Sequence, residues 1–125
     1  TPLGVAVENE QLEIVQYFVK TFTKVDLVGQ TDSTGWSSLH YAAQNSKKNV
    51  QTLQCLIDNY NGKDIKTIIN QKNNSGLTPL DWAYMYNKSP IKNEIVSLLR
   101  KYGGKANCFD KNGNRVGIGK GDLND

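Results

Sequence analysis

One histidine and two cysteines, with a scatter of serines, are the side chains here that could do covalent or metal chemistry. A nucleophile needs a base within hydrogen-bond reach. A catalytic reading must therefore join His40 to Ser37, Ser38, Cys55 or Cys108. A structural zinc site needs about four Cys or His ligands, and the chain's few are widely spaced. Two Gly-rich patterns near the end invite phosphate or calcium chemistry. Gly117-Ile118-Gly119-Lys120-Gly121 carries a Gly-Lys pair, but a P-loop sets a further Gly five residues earlier and Ser or Thr after the Lys. Asn114 and Gly121 stand there instead. Asp110-Lys111-Asn112-Gly113-Asn114 starts as a calcium loop does, then puts Arg115 at the required Gly and Gly121 at the bidentate Glu. Both patterns fail, and no cofactor or metal is expected.

The elements that must hold these residues repeat. Gly35-Trp36-Ser37-Ser38-Leu39-His40-Tyr41-Ala42-Ala43 recurs as Gly76-Leu77-Thr78-Pro79-Leu80-Asp81-Trp82-Ala83, and the chain opens on a third copy, Thr1-Pro2-Leu3-Gly4-Val5-Ala6. Each copy reads as a turn, a helix N-terminus and one apolar helix face. The Ser37 or Thr78 hydroxyl can accept from an orphan N–H of the first turn. Pro79 then sits where a missing N–H costs nothing. Each copy leads into a second amphipathic run: Leu12, Val15, Phe18 and Val19; Val50, Leu53, Leu56 and Ile57; Ile95, Leu98 and Leu99. That is the three-and-four spacing of a helix face. Polar connections with tight turns follow the first two runs at Asp32–Gly35 and Asn73–Gly76, and the last at Asp110–Gly113.

A unit of helix, helix and hairpin-like loop, headed by Thr-Pro-Leu-His-x-Ala, resembles the ankyrin repeat. The resemblance implies an all-α solenoid over residues 1–114, in units of about 1–36, 37–77 and 78–114 with a partial fourth, and a Gly-rich extension over 115–125. A typical unit has about 33 residues, so each unit here carries extra length. Some lies between the helices, around Ser46-Lys47-Lys48 and Lys88-Ser89-Pro90. More lies in the loop from Asn59 to Asn74, where Ile65, Ile68 and Ile69 call for a short extra helical turn. Val25-Asp26-Leu27-Val28 resembles the extended piece before a repeat's turn, and Asn61-Gly62 supplies a helix stop. Residues 117–125 have no apolar face, so their removal is expected to leave the melting midpoint unchanged.

The resemblance makes His40 a clip tying one turn to the next, and implies a non-catalytic protein-binding module. Its contact surface would be the finger tips Asp32, Ser33, Thr34, Trp36, Asn74, Ser75, Leu77 and Asn112, with Gln44, Asn45, Tyr86 and Asn87 on the inner helices. Trp36 is the largest apolar side chain at a position that family leaves exposed, and Leu77 in the next finger would extend it into a stripe. Tyr41 and Trp82 are read as core. The alternative is a regulatory or substrate-recruiting segment of a larger enzyme.

Composition fits a single domain, with 38% hydrophobic and 22% charged residues. No apolar run is long enough to span a membrane. Cys55 and Cys108 are too few for a disulfide framework, which suits an intracellular, cytoplasmic setting. The sequons at Asn73 and Asn87 are read as chance matches in an Asn-rich chain. The net charge of +3 hides an acidic stretch over residues 1–45 and a basic one over 46–120. The basic stretch could meet an acidic surface, although its lysines never run longer than two and nucleic acid is not the expected partner. Beginning in mid-motif, the chain is expected to be a monomeric domain within a larger protein.

Overall fold

The computed structural model describes residues 2–22, 28–48, 50–60 and 64–125. Within them lie α1 (Pro2–Glu8), α2 (Leu12–Thr21), α3 (Ser38–Asn45), α4 (Gln51–Asp58), α5 (Ile65–Ile69), α6 (Pro79–Tyr86) and α7 (Lys92–Lys101). A short 3-10 helix, Asp122–Asn124, follows. Of the expected extended piece Val25–Val28, residues 25–27 lie outside the described residues, as does the Asn61-Gly62 stop, while Val28 is buried.

Helices α1, α3 and α6 stand side by side as an inner layer, each packed on its own outer partner α2, α4 or α7. Ala6, Ala42 and Ala83 are buried where inner helices approach, and small side chains there let the layers close. Between the layers lie Leu39, Leu53, Leu56, Leu80, Ile95 and Leu99, all fully buried. The cooperative unit is thus a continuous core shared between neighbours, as stacked repeats require.

Local chemistry sets each inner helix. Ser37 caps α3 and Thr78 caps α6, both in reciprocal capping boxes, and Pro79 takes the first turn of α6. The α1–α2 turn is made without glycine: Glu10 stands at φ 52°, where a side chain costs of order 1–2 kcal/mol. Its carboxylate Oε1 accepts from the Lys47 N–H (2.7 Å) at the end of the next inner helix, which offsets that strain.

The loop isoleucines form α5 as expected, with Ile68 and Ile69 buried. Asn70, just past it, donates to the Gly103 carbonyl (3.0 Å) and accepts from the Lys105 N–H (2.7 Å). The insertion therefore braces the end of α7. The last stretch departs from expectation. Residues 115–125 fold back on residues 106–109, with Gly121 and Asp122 buried. The expectation that they would not dock is overturned, because they dock by backbone and not by an apolar face.

Candidate protein-binding face

Three finger turns share one construction. Asp32 Oδ1 accepts from the N–H groups of Thr34 and Trp36 (2.9 and 3.0 Å). Asn73 Oδ1 does the same for Ser75 and Leu77, and Asp110 Oδ1 for Asn112 and Asn114. Gly35, Gly76 and Gly113 then turn the chain at φ near 80°, a conformation that favours glycine. The first two fingers are joined, since Asn74 donates its backbone N–H to Thr34 and its side-chain amide to Ser33.

Clips beneath the fingers couple the units. His40 Nδ1 accepts from the Ser37 N–H (3.1 Å) and faces the Ser37 hydroxyl (2.9 Å). That leaves the ring proton on Nε2, which is donated to the Leu77 carbonyl (2.9 Å) of the next finger. One repeat later Asp81 holds the same place with the opposite polarity. Its carboxylate accepts from the backbone N–H groups of Thr78 (2.8 Å), Asn107 (2.9 Å) and Cys108 (3.0 Å).

Both ring nitrogens of His40 are thereby committed, which leaves it no role as a base. Neither thiol is poised as a nucleophile. Burial raises Cys55, and burial with the neighbouring Asp81 carries Cys108 to about 12. Among the described residues no group of three or more His, Cys, Asp or Glu side chains could hold a metal ion.

Burial also presses the His40 imidazole below its ordinary 6.5, outweighing the Leu77 carbonyl and the charges of Asp32 and Asp81. The unfolded chain then binds the proton first, so stability falls as pH drops below about 6.5, by up to roughly 1.4 kcal/mol per pH unit. Asp32 and Asp110 are depressed below 3.8, so their contribution is lost only at more acid pH. Melts at pH 7.5 and 5.5 should show a drop in the wild type and a flatter response in His40→Gln. Equal slopes would exclude His40 as the titrating group.

Above the clips runs a continuous row of aromatic rings. Tyr41 lies 4.9 Å from Trp36, Trp36 lies 4.3 Å from Trp82, and Trp82 lies 4.4 Å from Tyr86. Trp36, Tyr41 and Trp82 are half-buried, while Tyr86 is 44% exposed. Hydrogen bonds fix their edges: Tyr41 O–H donates to Asp32 Oδ2 (2.6 Å), and Trp82 Nε1–H to Gln44 Oε1 (2.8 Å). Beyond Tyr86 opens a groove of about 410 Å³ lined by Gln44, Lys47, Tyr86, Lys88, Ser89 and Pro90 over Asn87.

The expected contact residues divide. Ser33, Thr34, Asn74, Ser75 and Asn112 are exposed at finger tips, and Asp32, Trp36, Gln44 and Asn45 are half-buried beside the row. Leu77 and Asn87 are corrected. Leu77 is 6% exposed and turns into the core, so the apolar stripe runs from Trp36 to Trp82 instead. Asn87 is 1% exposed, its amide donating to the carbonyls of Ala43 and Ser46 (2.9 and 3.0 Å). It staples two inner helices together. Tyr41 and Trp82, read as core, do pack against it but stay half-buried, each keeping one side in the row. Their signal in the sequence was faint: aromatics in two copies where the first copy has Val5, itself exposed. The sequon residues Asn73 and Asn87 are both buried.

A family model described as ankyrin repeats, in three copies, matches residues 3–112. No curated protein matches the chain. Repeats of that family are generally protein–protein interaction modules and are typically non-catalytic. No helix among the described residues is long and apolar enough to cross a membrane.

Proposed function

The chain belongs to the ankyrin repeat family, and on that premise we propose that it grips a partner protein along the aromatic row and the neighbouring finger tips. The observation that carries this reading is the row itself: four rings in contact, none of them fully covered. Rigid aromatics at the centre of a surface are the residue types that dominate interface energies. The exposed tips Ser33, Thr34, Asn74, Ser75 and Asn112 would form the polar rim, with Gln44 and Asn45 between row and groove. Free Cys55 and Cys108 support an intracellular site of action. The chain itself would carry no catalysis.

With a partner isolated by pull-down, Trp36→Ala should weaken binding by about 2 kcal/mol or more, nearly thirtyfold. The rival is binding through Lys47, Lys48, Lys66 and Lys72, which predicts a steep fall of affinity with salt and little effect of Trp36. Titrations of both proteins at two salt concentrations separate these outcomes. Unchanged affinity of the mutant, with strong salt dependence, would transfer the site to the basic stretch.

A further inference from the structure

We propose that the Trp36 end of the aromatic row is a cation subsite, taking an arginine or lysine side chain of the partner between the rings and the Asp32 carboxylate. This rests on the reading of the row as the binding face and adds the chemistry of what it recognises.

Three observations point there. First, among the described residues Asp32 has hydrogen-bond donors but no cation in ion-pair reach. Its oxygens accept from the N–H of Thr34 and of Trp36, the Thr34 hydroxyl and the Tyr41 hydroxyl. Among the described residues the ion pair found is Arg100 with Asp122, at the other end of the molecule. Partial burial works to raise the Asp32 carboxyl, yet those hydrogen bonds outweigh it and hold it at about 2, so the charge persists at any physiological pH. Second, three rings elsewhere in the chain, the half-buried Tyr84 and Tyr102 and the buried Phe109, carry cations of their own. Arg100 lies over Tyr84, Lys101 over Tyr102 and Arg115 over Phe109, each within 6 Å of the ring centre. No such cation is found over Trp36, Tyr41, Trp82 or Tyr86 among the described residues, although Trp gives the strongest attraction. Third, the surroundings are acidic. Glu8 is close enough to act on Tyr41, and residues 1–45 hold five acidic residues against two lysines. A positive group arriving here meets complementary charge, whereas the Tyr86 end of the same row is flanked by Lys47 and Lys88.

The test selects peptides from a random display library on the whole chain. Trp36 and Trp82 are its two tryptophans, so fluorescence excited selectively at tryptophan reports on the row alone. Selected peptides should shift that fluorescence and share a basic residue, whose replacement by leucine weakens binding about tenfold. Asp32→Asn should cause a similar loss for the basic peptide and none for the leucine peptide. The finger should tolerate it, because Asn73 builds the equivalent turn with the same Oδ1 bonds. Glu8→Gln, exposed and outside any finger, should weaken the basic peptide further without altering the melt. Peptides that shift the fluorescence but bind Asp32→Asn as well as wild type would overturn the cation subsite and leave the face intact. A library that yields no binder, or binders that leave the fluorescence unchanged, would overturn the face and the subsite with it.

Discussion

Replacing Asp81 by alanine is expected to destabilise the fold by roughly 3–5 kcal/mol. Asp81 is fully buried and is the acceptor for backbone N–H groups of Thr78, Asn107 and Cys108. With the carboxylate gone those donors stay buried without partners, at a cost of about 1–3 kcal/mol each before relaxation. A domain of ordinary stability has only about 5–15 kcal/mol in all. The third unit should therefore melt out first, and the array should lose its single transition. Asp81→Asn keeps one acceptor oxygen but turns an amide N–H toward a donor, so an intermediate loss is expected. The most telling replacement is Asp81→His, the residue the chain itself uses one repeat earlier. A neutral imidazole there would aim its N–H at the N–H groups of Asn107 and Cys108, and no better result than alanine is expected. Urea melts of the four proteins give the ranking. A His variant as stable as wild type would show that the clip's polarity does not matter.

That polarity also marks how far the sequence could be read. The head motif, the apolar runs and the cap residues follow from spacing and side-chain chemistry, so the helices and their pairing were legible. What the residue at the clip must do depends on the atom facing it across 26 to 37 residues of chain. At His40 that atom is the Leu77 carbonyl, and at Asp81 it is a pair of N–H groups. Neither is visible in a local pattern. The candidate face was legible in the same partial way. Trp36 was singled out by its place in the finger, but its neighbours were not. Tyr41 and Trp82 sit in helices whose apolar residues mostly turn inward, and only the contact of Trp36 with Trp82 at 4.3 Å brings them to one surface. Leu77 failed as an equivalent of Trp36 because burial, not position in the repeat, decides what a partner can touch.

Removing residues 117–125 is expected to cost roughly 2–4 kcal/mol, a fall in melting midpoint of order 10 °C for a domain this size. Each repeat covers its neighbour, and the far side of the third copy also needs cover. The tail supplies it through its backbone. The N–H groups of Gly119 and Gly121 both donate to the Asn107 carbonyl (2.9 Å each), Asp122 donates to Phe109 (3.0 Å) and Leu123 to Ala106 (2.8 Å). Asp122 is buried and does double duty, accepting from the Ala106 N–H (2.9 Å) and pairing with Arg100 (2.8 Å). Arg100 in turn reaches Tyr84 and the Asp110 carbonyl, so tail, last finger and last helix pair share one hub. A search for an apolar face misses such a cap, since its cohesion lies in main-chain donors and one ion pair. Its sequence mark is glycine. A Cβ on Gly121 would lie 2.3 Å from the Ala106 carbonyl oxygen and 2.5 Å from the Asn107 carbonyl carbon, both main-chain atoms that cannot swing aside. Gly121→Ala should therefore lift the lid with no change in length and reproduce most of the loss caused by truncation. Gly119→Ala provides the contrast: open space surrounds its Cβ, and only its φ of +84° is strained, for about 1 kcal/mol. Thermal melts of the truncation and both point variants decide the matter. If Gly121→Ala and the truncated chain melt within error of wild type, the tail is an ornament on a solenoid whose last helix pair is already sealed.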